Sequence, residues 1–284
     1  MPAVRDEGIC LRHWDWSETS QTVSFFGRSL GVIRGLAKGA RRERGTFGGG
    51  IDLLTRGEFG AIIKNSTELA TLTEWDLLET FPALRERLSR NRAAFYAADL
   101  VQRLLAPADP HPALYDALHL LLRALGTTGH TGDEPHSAPS STESAEMALA
   151  LLRFQWRLLE EVGLQPALEI GALSDHRTVW FDPIGGVFSE TAPQRGWRVR
   201  RATVALLCAM RDACGASAVN GAPDAISGTA VTIHLSEQDA EAIDRANRLL
   251  AAYVREVVQC EPPTLRDLFG NLGVGSIRPA RGSI

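Results

Sequence analysis

Lysine is almost missing from this sequence. Lys38 and Lys64 are the only two among 30 basic residues, so arginine supplies nearly all the positive charge. Long apolar runs are missing as well. No stretch approaches the roughly 18 residues that a membrane-crossing helix needs. The first sixteen residues carry charge from Arg5 onward and have no apolar h-region, which argues against a secretory signal. The expected location is therefore the cytoplasm, with no membrane partner. Cysteine is scarce: Cys10, Cys208, Cys214 and Cys260, whose only close spacing is C-x5-C. That is not a metal-ligand spacing, and free, mostly buried thiols in a reducing compartment are expected. No P-loop is present, because the glycines at 45 and 48–50 lack a following Lys-Ser or Lys-Thr. No G-x-G-x-x-G follows a strand, the seven histidines are scattered without metal-ligand spacing, and no acid/base pair stands out. No cofactor or metal is expected.

What is present suffices for a folded protein. The chain has 284 residues, 44% apolar, with 23% charged residues and a net charge of −4. That length predicts one large or two moderate domains. Short apolar or alternating runs at 8–14, 22–26, 32–37, 58–63 and 69–78 read as five strands, punctuated by Gly, Ser and Asn. Five strands in about eighty residues predict a small closed barrel, most often an OB-fold, because closure removes exposed sheet edges. Gly45 to Gly50 reads as a flexible tip.

After Phe81-Pro82 the period changes to that of helices. A helix is expected over 84–105, with Leu84, Leu88, Phe95, Leu100 and Leu104 in a core, and a second from Pro112 to Leu125. Residues 126–144 read as a mobile insert rich in Gly, Ser, Thr and Pro. A long helix follows, with Met147, Leu151, Phe154, Leu158 and Val162 on one stripe. Residues 164–193 read as an irregular inset with strands near 179–181 and 187–188. Two more helices are expected, one over about 199–214 and one capped by Ser236 and Asp239 and ending near Cys260. The expected fold class is α+β and multidomain: an OB-fold barrel over 1–80, then a mostly helical domain over 81–284.

Two features carry candidate chemistry. Gly27-Arg28-Ser29-Leu30-Gly31 matches G-x-S-x-G, in which Ser29 would be the nucleophile of a serine hydrolase. That elbow needs a strand before it and a helix after it, and a strand-like run follows here, so a hairpin turn is the favoured reading. The second feature is basic. Arg28, Arg34, Lys38, Arg41, Arg42 and Arg44 fall within seventeen residues, opposed only by Glu43, in a chain that is acidic overall. Phe47 and several glycines lie beside them. Basic surfaces attract phosphates and release counterions, and exposed aromatics stack on bases. The charge run alone leaves a solvated loop and a nucleic-acid surface both open. A second cluster, Arg195, Arg198, Arg200 and Arg201, competes for the same role.

Trp14-Asp15-Trp16-Ser17-Glu18-Thr19-Ser20, then Phe25, Gly27 and Gly31, then Leu36-Ala37-Lys38-Gly39-Ala40-Arg41-Arg42, resemble the RecO family of bacterial recombination mediators. Matches continue through Glu79 to Leu84, Leu151 to Pro166, and Phe181 to Val187. The resemblance implies an OB-fold that binds single- and double-stranded DNA, anneals complementary strands, and works with RecR. It also implies RecF in many bacteria, the single-stranded DNA-binding protein, and loading of RecA onto gapped DNA. It implies no bond-making chemistry. The six basic residues named above are the candidate phosphate contacts. Many members carry four zinc-binding cysteines. The corresponding positions here are Gly171, Ser174, Ser189 and Ala192, which implies a metal-free, degenerate zinc-ribbon-like inset, with Asp175, His176 and Asp182 too few and wrongly spaced to replace them. A scaffold that binds only proteins is the third class in view.

Overall fold

The computed structural model describes residues 3–42, 45–64, 68–126, 141–168, 177–219, 237–259, 261–270 and 272. Five strands open the chain: β1 (Ala3–Asp15), β2 (Gln21–Gly27), β3 (Gly31–Ala37), β4 (Arg56–Ile62) and β5 (Ala70–Glu79). They close into a barrel in the order β1-β2-β3-β5-β4, with β4 returning to β1. All pairings are antiparallel except the short parallel contact of β3 with β5. This is the OB-like barrel expected from the sequence.

The barrel is filled by aromatic rings. Phe25 lies between Phe59 and Trp75, with centroids 4.8 Å away on each side and interplanar angles of 8° and 17°. Offset stacking of this kind adds to the area the rings bury. There is no room for a β-carbon at Gly57, where one would lie 2.7 Å from the Trp75 ring and 2.5 Å from the Asp76 carbonyl. Both faces of β2 are buried. Phe25 points into the barrel, whereas Phe26 packs outside it on Tyr115, 5.8 Å between centroids.

Helices α1 (Ala83–Glu86), α2 (Leu88–Leu104) and α3 (Pro112–Gly126) follow. Arg87 is extended, at φ −128° and ψ 117°, so the expected single helix over 84–105 is two. The break turns Leu88 outward, where it is 63% exposed. Of the expected core, Leu84 and Leu100 are buried and Phe95 and Leu104 half-buried; Tyr96, Val101 and a run of alanines complete the buried face of α2. Small side chains let a helix approach its neighbours closely, which a stripe of leucines does not reveal.

Packing groups Met1–Ala138 with Pro262–Leu268, and Pro139–Glu261 with the rest of the C-terminal chain. In the first unit, an ionic network joins α3 to the barrel. Glu79 accepts from Arg56 Nε at 3.0 Å and pairs with His119 Nε2 at 2.7 Å. Arg56 also pairs with Glu7, which accepts a 3.0 Å bond from the Tyr115 hydroxyl. Burial and the charge of Glu7 hold the Tyr115 hydroxyl well above its ordinary pKa, so it remains a donor. The carboxyl of Glu79 is held below its ordinary value. Burial alone would raise it, but the hydrogen bonds from His119 and Arg56 outweigh that.

The second unit contains α4 (Ser141–Glu161), a three-stranded sheet, α5 (Arg201–Val219) and α6 (Glu237–Val258). Of the expected stripe, Leu151, Phe154 and Leu158 are buried, and Trp156 and Leu159 join them. Gln155 donates to Asn247 Oδ1 at 2.7 Å, and Asn247 donates to the Ala148 carbonyl at 2.8 Å. This buried amide pair fixes one register of α4 against α6, because any slip would strand polar groups in the core. The sheet runs β7 (Val187–Ser189), β6 (Thr178–Asp182), β8 (Trp197–Arg200). β8 replaces the start of the helix expected from Val199. Trp197 and Val199 are buried while Arg198 and Arg200 are exposed, a period of two that four residues barely declare. Phe181 anchors the sheet by edge contact with Tyr253 of α6, 5.2 Å between centroids. Val187, on the edge strand of this sheet, is 41% exposed. A short helix, α7 (Pro263–Phe269), comes last. Residues 127–140, most of the expected insert, lie outside the described residues, and 141–144 already belong to α4. The expected Ser236 cap also lies outside them.

Two outcomes check this account. Gly31 has φ +69°, and a β-carbon there would lie 2.2 Å from the Asp109 carbonyl oxygen. Gly31→Ala should therefore cost about 2–4 kcal/mol, read from denaturant unfolding. Glu79 contributes stability above its unfolded pKa of 4.5, and this is lost as pH falls through the lower folded value. Glu79→Gln should lower stability at neutral pH by about 1–3 kcal/mol and flatten the acid limb of the stability curve. A parallel shift with unchanged pH dependence would contradict the assignment.

Candidate nucleic-acid interface

The β2–β3 hairpin distributes the basic run. Its strands pair from Gln21↔Ala37 at one end to Gly27↔Gly31 at the other. Seven-residue strands separate these ends by about 20 Å. Arg28 sits in the Gly27–Gly31 turn. Its guanidinium forms a two-pronged pair with Asp116, at 3.0 and 2.9 Å. That hydrogen bond, followed by the charge of Asp116, raises its pKa further. Ser29 is in the same turn, its amide donating to Asp6 Oδ2 at 2.9 Å. A strand follows it, so the G-x-S-x-G segment is a hairpin and lacks the strand-to-helix elbow a hydrolase needs.

The remaining described cations lie along β3 and beyond its far end. Arg34 projects from the middle of β3 and is exposed; Lys38, Arg41 and Arg42 follow the strand and are exposed as well. Among the described residues, Arg34, Lys38 and Arg42 have no acidic partner. Arg41 pairs with Asp15. Arg44 lies outside the described residues.

The β1–β2 loop meets this loop directly. The Gly39 amide donates to Ser20 Oγ at 3.2 Å, and the Arg41 amide donates to the Thr19 carbonyl at 3.1 Å. Inside the β1–β2 loop, the Trp16 and Ser17 amides donate to the Ser20 carbonyl, and Ser20 N–H donates back to Ser17 Oγ. The Ser-Glu-Thr-Ser segment is thus a closed turn whose two serine hydroxyls accept from backbone amides. Trp14 and Trp16 flank Asp15 at its tip and are 44% and 63% exposed.

The aromatic expected to face a ligand is instead internal. Phe47 is only 4% exposed and belongs to the barrel core. The Gly45–Gly50 segment is not a free tip either. Trp75 N–H donates to the Thr46 carbonyl, and Thr46 Oγ1 donates to Thr73 O at 2.9 Å. Trp14 and Trp16 are the exposed aromatics that reading by composition passed over. The signal was available, because Trp-Asp-Trp runs straight into turn residues, where a strand ends and nothing covers it.

In the second unit, Arg195, Arg198 and Arg200 are exposed and Arg201 half-buried. Arg200 lies 3.8 Å from Glu241, and Arg198 donates to Thr178 Oγ1 at 3.3 Å. This cluster is basic as well, with Glu241 as the acid that pairs with Arg200, just as Asp15 pairs with Arg41 at the β3 end of the barrel.

The sheet of the second unit does not suit a metal at its described positions. Ser189 spends its hydroxyl on the Thr191 carbonyl at 2.6 Å, and Ala192 has no donor. Positions 171 and 174, with Asp175 and His176, lie outside the described residues. No group of three metal-ligating side chains occurs among the described residues. Cys10 is buried, and burial holds its thiol well above the ordinary range, so it is inert. Cys208 is half-buried and likewise raised. The side chains of Cys214 and Cys260 lie outside the description. No described helix is long and apolar enough to cross a membrane.

An OB-like barrel with a cationic edge, followed by a helical region, defines the class of fold. Comparison makes the assignment narrower. The profile described as "Recombination protein O N terminal" matches residues 1–81, and that described as "Recombination protein O C terminal" matches 85–227. The chain belongs to the recombination protein O family. Its relatives include the DNA repair protein RecO of Rhodopirellula baltica, 35% identical over 161 residues, or 57% of this chain and 54% of that one. The DNA repair protein RecO of Moorella thermoacetica is 30% identical over 174 residues, 61% of this chain and 58% of that one. That of Salinibacter ruber is 35% identical over 122 residues, 43% and 46% respectively. The matches thus span about half the length of these relatives.

Elemental analysis of the purified, tag-free protein should find no stoichiometric zinc. One zinc per chain would overturn the reading of the second unit's sheet.

Proposed function

We propose that this protein acts in DNA repair and recombination as a mediator. It binds single- and double-stranded DNA, anneals complementary strands, and helps load RecA onto gapped DNA. RecR, RecF where present, and the single-stranded DNA-binding protein are its partners in this reading. Family membership and the names of the relatives support it. The observation that carries it is the row of exposed cations along β3 and beyond its end, where Arg34, Lys38 and Arg42 lack acidic partners among the described residues.

The mechanism is electrostatic. Two DNA strands repel until a basic surface screens their phosphates. Releasing the condensed counterions supplies free energy without reading any base, so binding is indifferent to sequence. Arg34, Lys38, Arg41, Arg42 and Arg44 are the proposed phosphate contacts. Arg28 can join them only by leaving Asp116, since its guanidinium is already engaged on both prongs. The barrel over 1–80 is the proposed DNA-binding domain. Ser29 takes no part in chemistry, and the activity makes and breaks no covalent bond.

A titration with DNA at several salt concentrations tests this reading. About three to five phosphate contacts on a single strand should each add ~0.7 to the slope of log K against log salt. Arg41→Glu with Arg42→Glu should weaken binding and flatten that slope while leaving folding intact, since exposed arginines contribute little to stability. If that pair changes nothing and Arg200→Glu with Arg201→Glu abolishes binding, the DNA path runs over the second unit instead.

A further inference from the structure

Six tryptophans occur in the chain, and their environments differ sharply. Trp75, Trp156 and Trp197 are buried at 8% exposure or less, and Trp180 is half-buried. Trp14 and Trp16 are the exception. Residues 14–18 are all exposed, so the end of β1, still paired to β2, and the turn after it leave their side chains in solvent. An indole left in water forgoes a large part of the burial free energy that normally recruits tryptophan to a core. Two of them, two residues apart on one tip, need a reason.

The tip is held in shape. Its turn is closed by Trp16 and Ser17 amides on the Ser20 carbonyl, and it is tied to the basic loop by the Gly39 and Arg41 amides. The loss of conformational entropy on binding is thereby reduced. The tip is also set beside cations. The side chain of Arg41 reaches Asp15, the residue between the two tryptophans, and Lys38 and Arg42 flank it on the same loop. Aromatic faces beside guanidinium and ammonium groups match a ligand that alternates flat apolar rings with anionic groups. Single-stranded nucleic acid has that chemistry. Duplex DNA offers the same phosphates but keeps its base faces stacked.

We propose that Trp14 and Trp16 form a stacking platform for unpaired nucleobases, with Lys38, Arg41 and Arg42 holding the adjoining phosphates. This rests on the DNA-binding reading above and adds to it a preference for single strands. The platform gives the barrel two modes. Phosphate contacts hold any DNA, and the indoles hold only bases that have left a helix. A base on the platform is presented with its pairing edge outward, the posture a complementary strand can meet. Asp15 and the exposed Glu18 oppose phosphate at the tip, and Arg41 already neutralises the first of them.

The test uses the full chain, a deoxythymidine oligomer and a mixed-sequence duplex, with affinity and tryptophan fluorescence read together. In the native protein the oligomer should quench fluorescence. Trp14→Ala and Trp16→Ala should each weaken the oligomer between about fivefold and a hundredfold. Duplex affinity and the salt slope should hold within about twofold, because those report phosphates. Trp14→Phe with Trp16→Phe should restore most of the oligomer affinity, which guards against a folding artefact. Equal oligomer affinity in native protein and the double alanine variant overturns the platform and leaves the DNA-binding reading standing. So does an equal loss for oligomer and duplex. A double alanine variant that changes only the sedimentation of the protein overturns it too, because the tip then covers a second copy of the chain. Native protein that binds neither DNA at low salt removes the underlying reading as well.

Discussion

The stack of Phe59, Phe25 and Trp75 is the contact on which the barrel depends. A five-stranded barrel has a narrow interior, and three large rings stacked nearly parallel occupy its middle. The filling dictates the wall. A strand facing Trp75 cannot carry a side chain at position 57. Phe47 comes in from the β3–β4 connection to complete the same core, which fixes that connection and, through it, the exit of the basic loop. The electrostatic surface at the end of β3 is therefore positioned by an apolar interior that carries no charge at all.

How much of this was legible in the sequence follows from how local each cause is. Strands β1 to β5 were legible because their alternation and their Gly and Ser punctuation are written within a few residues. The helices of both units were legible for the same reason. Errors came where a distant partner decides. Phe47 looked like a loop aromatic, and only the closed barrel makes it core. Arg28 looked like one more cation of a run, but its partner is Asp116, 88 residues further on. Leu88 fitted a helical stripe until Arg87 broke the helix. β8 was too short to show its period, and Arg201 begins the helix immediately after it. Adjacency in sequence likewise overstated adjacency in space, since a hairpin places Arg28 and Arg41 at its opposite ends.

Compensation decides how many arginines are left to meet a ligand. The ionic contacts of Arg28, Arg56, Arg157, Arg245 and Arg248 bind structure to itself. Such exposed or half-exposed pairs add modestly to stability, and they also remove cations from the field that a polyanion feels. With a net charge of −4, the molecule as a whole repels DNA. What reaches a phosphate is the local excess, and at the β3 end of the barrel, as around Arg195, Arg198 and Arg200, described cations outnumber the acids that pair with them.

The last structural feature with reach is the path of the chain through Pro262–Leu268. After the entire second unit has been traced, these residues come back to the first, where Thr264 Oγ1 donates to Asp99 Oδ2 at 3.0 Å. Asp99 is buried at 5% exposure and pairs with Arg103 as well. The two units are thus interleaved along the polypeptide and cannot be parted by a single cut. A ribosome that has finished the barrel and α3 has not finished the unit they belong to. That unit closes only when Pro262–Leu268 emerge, so its completion waits on synthesis of most of the other.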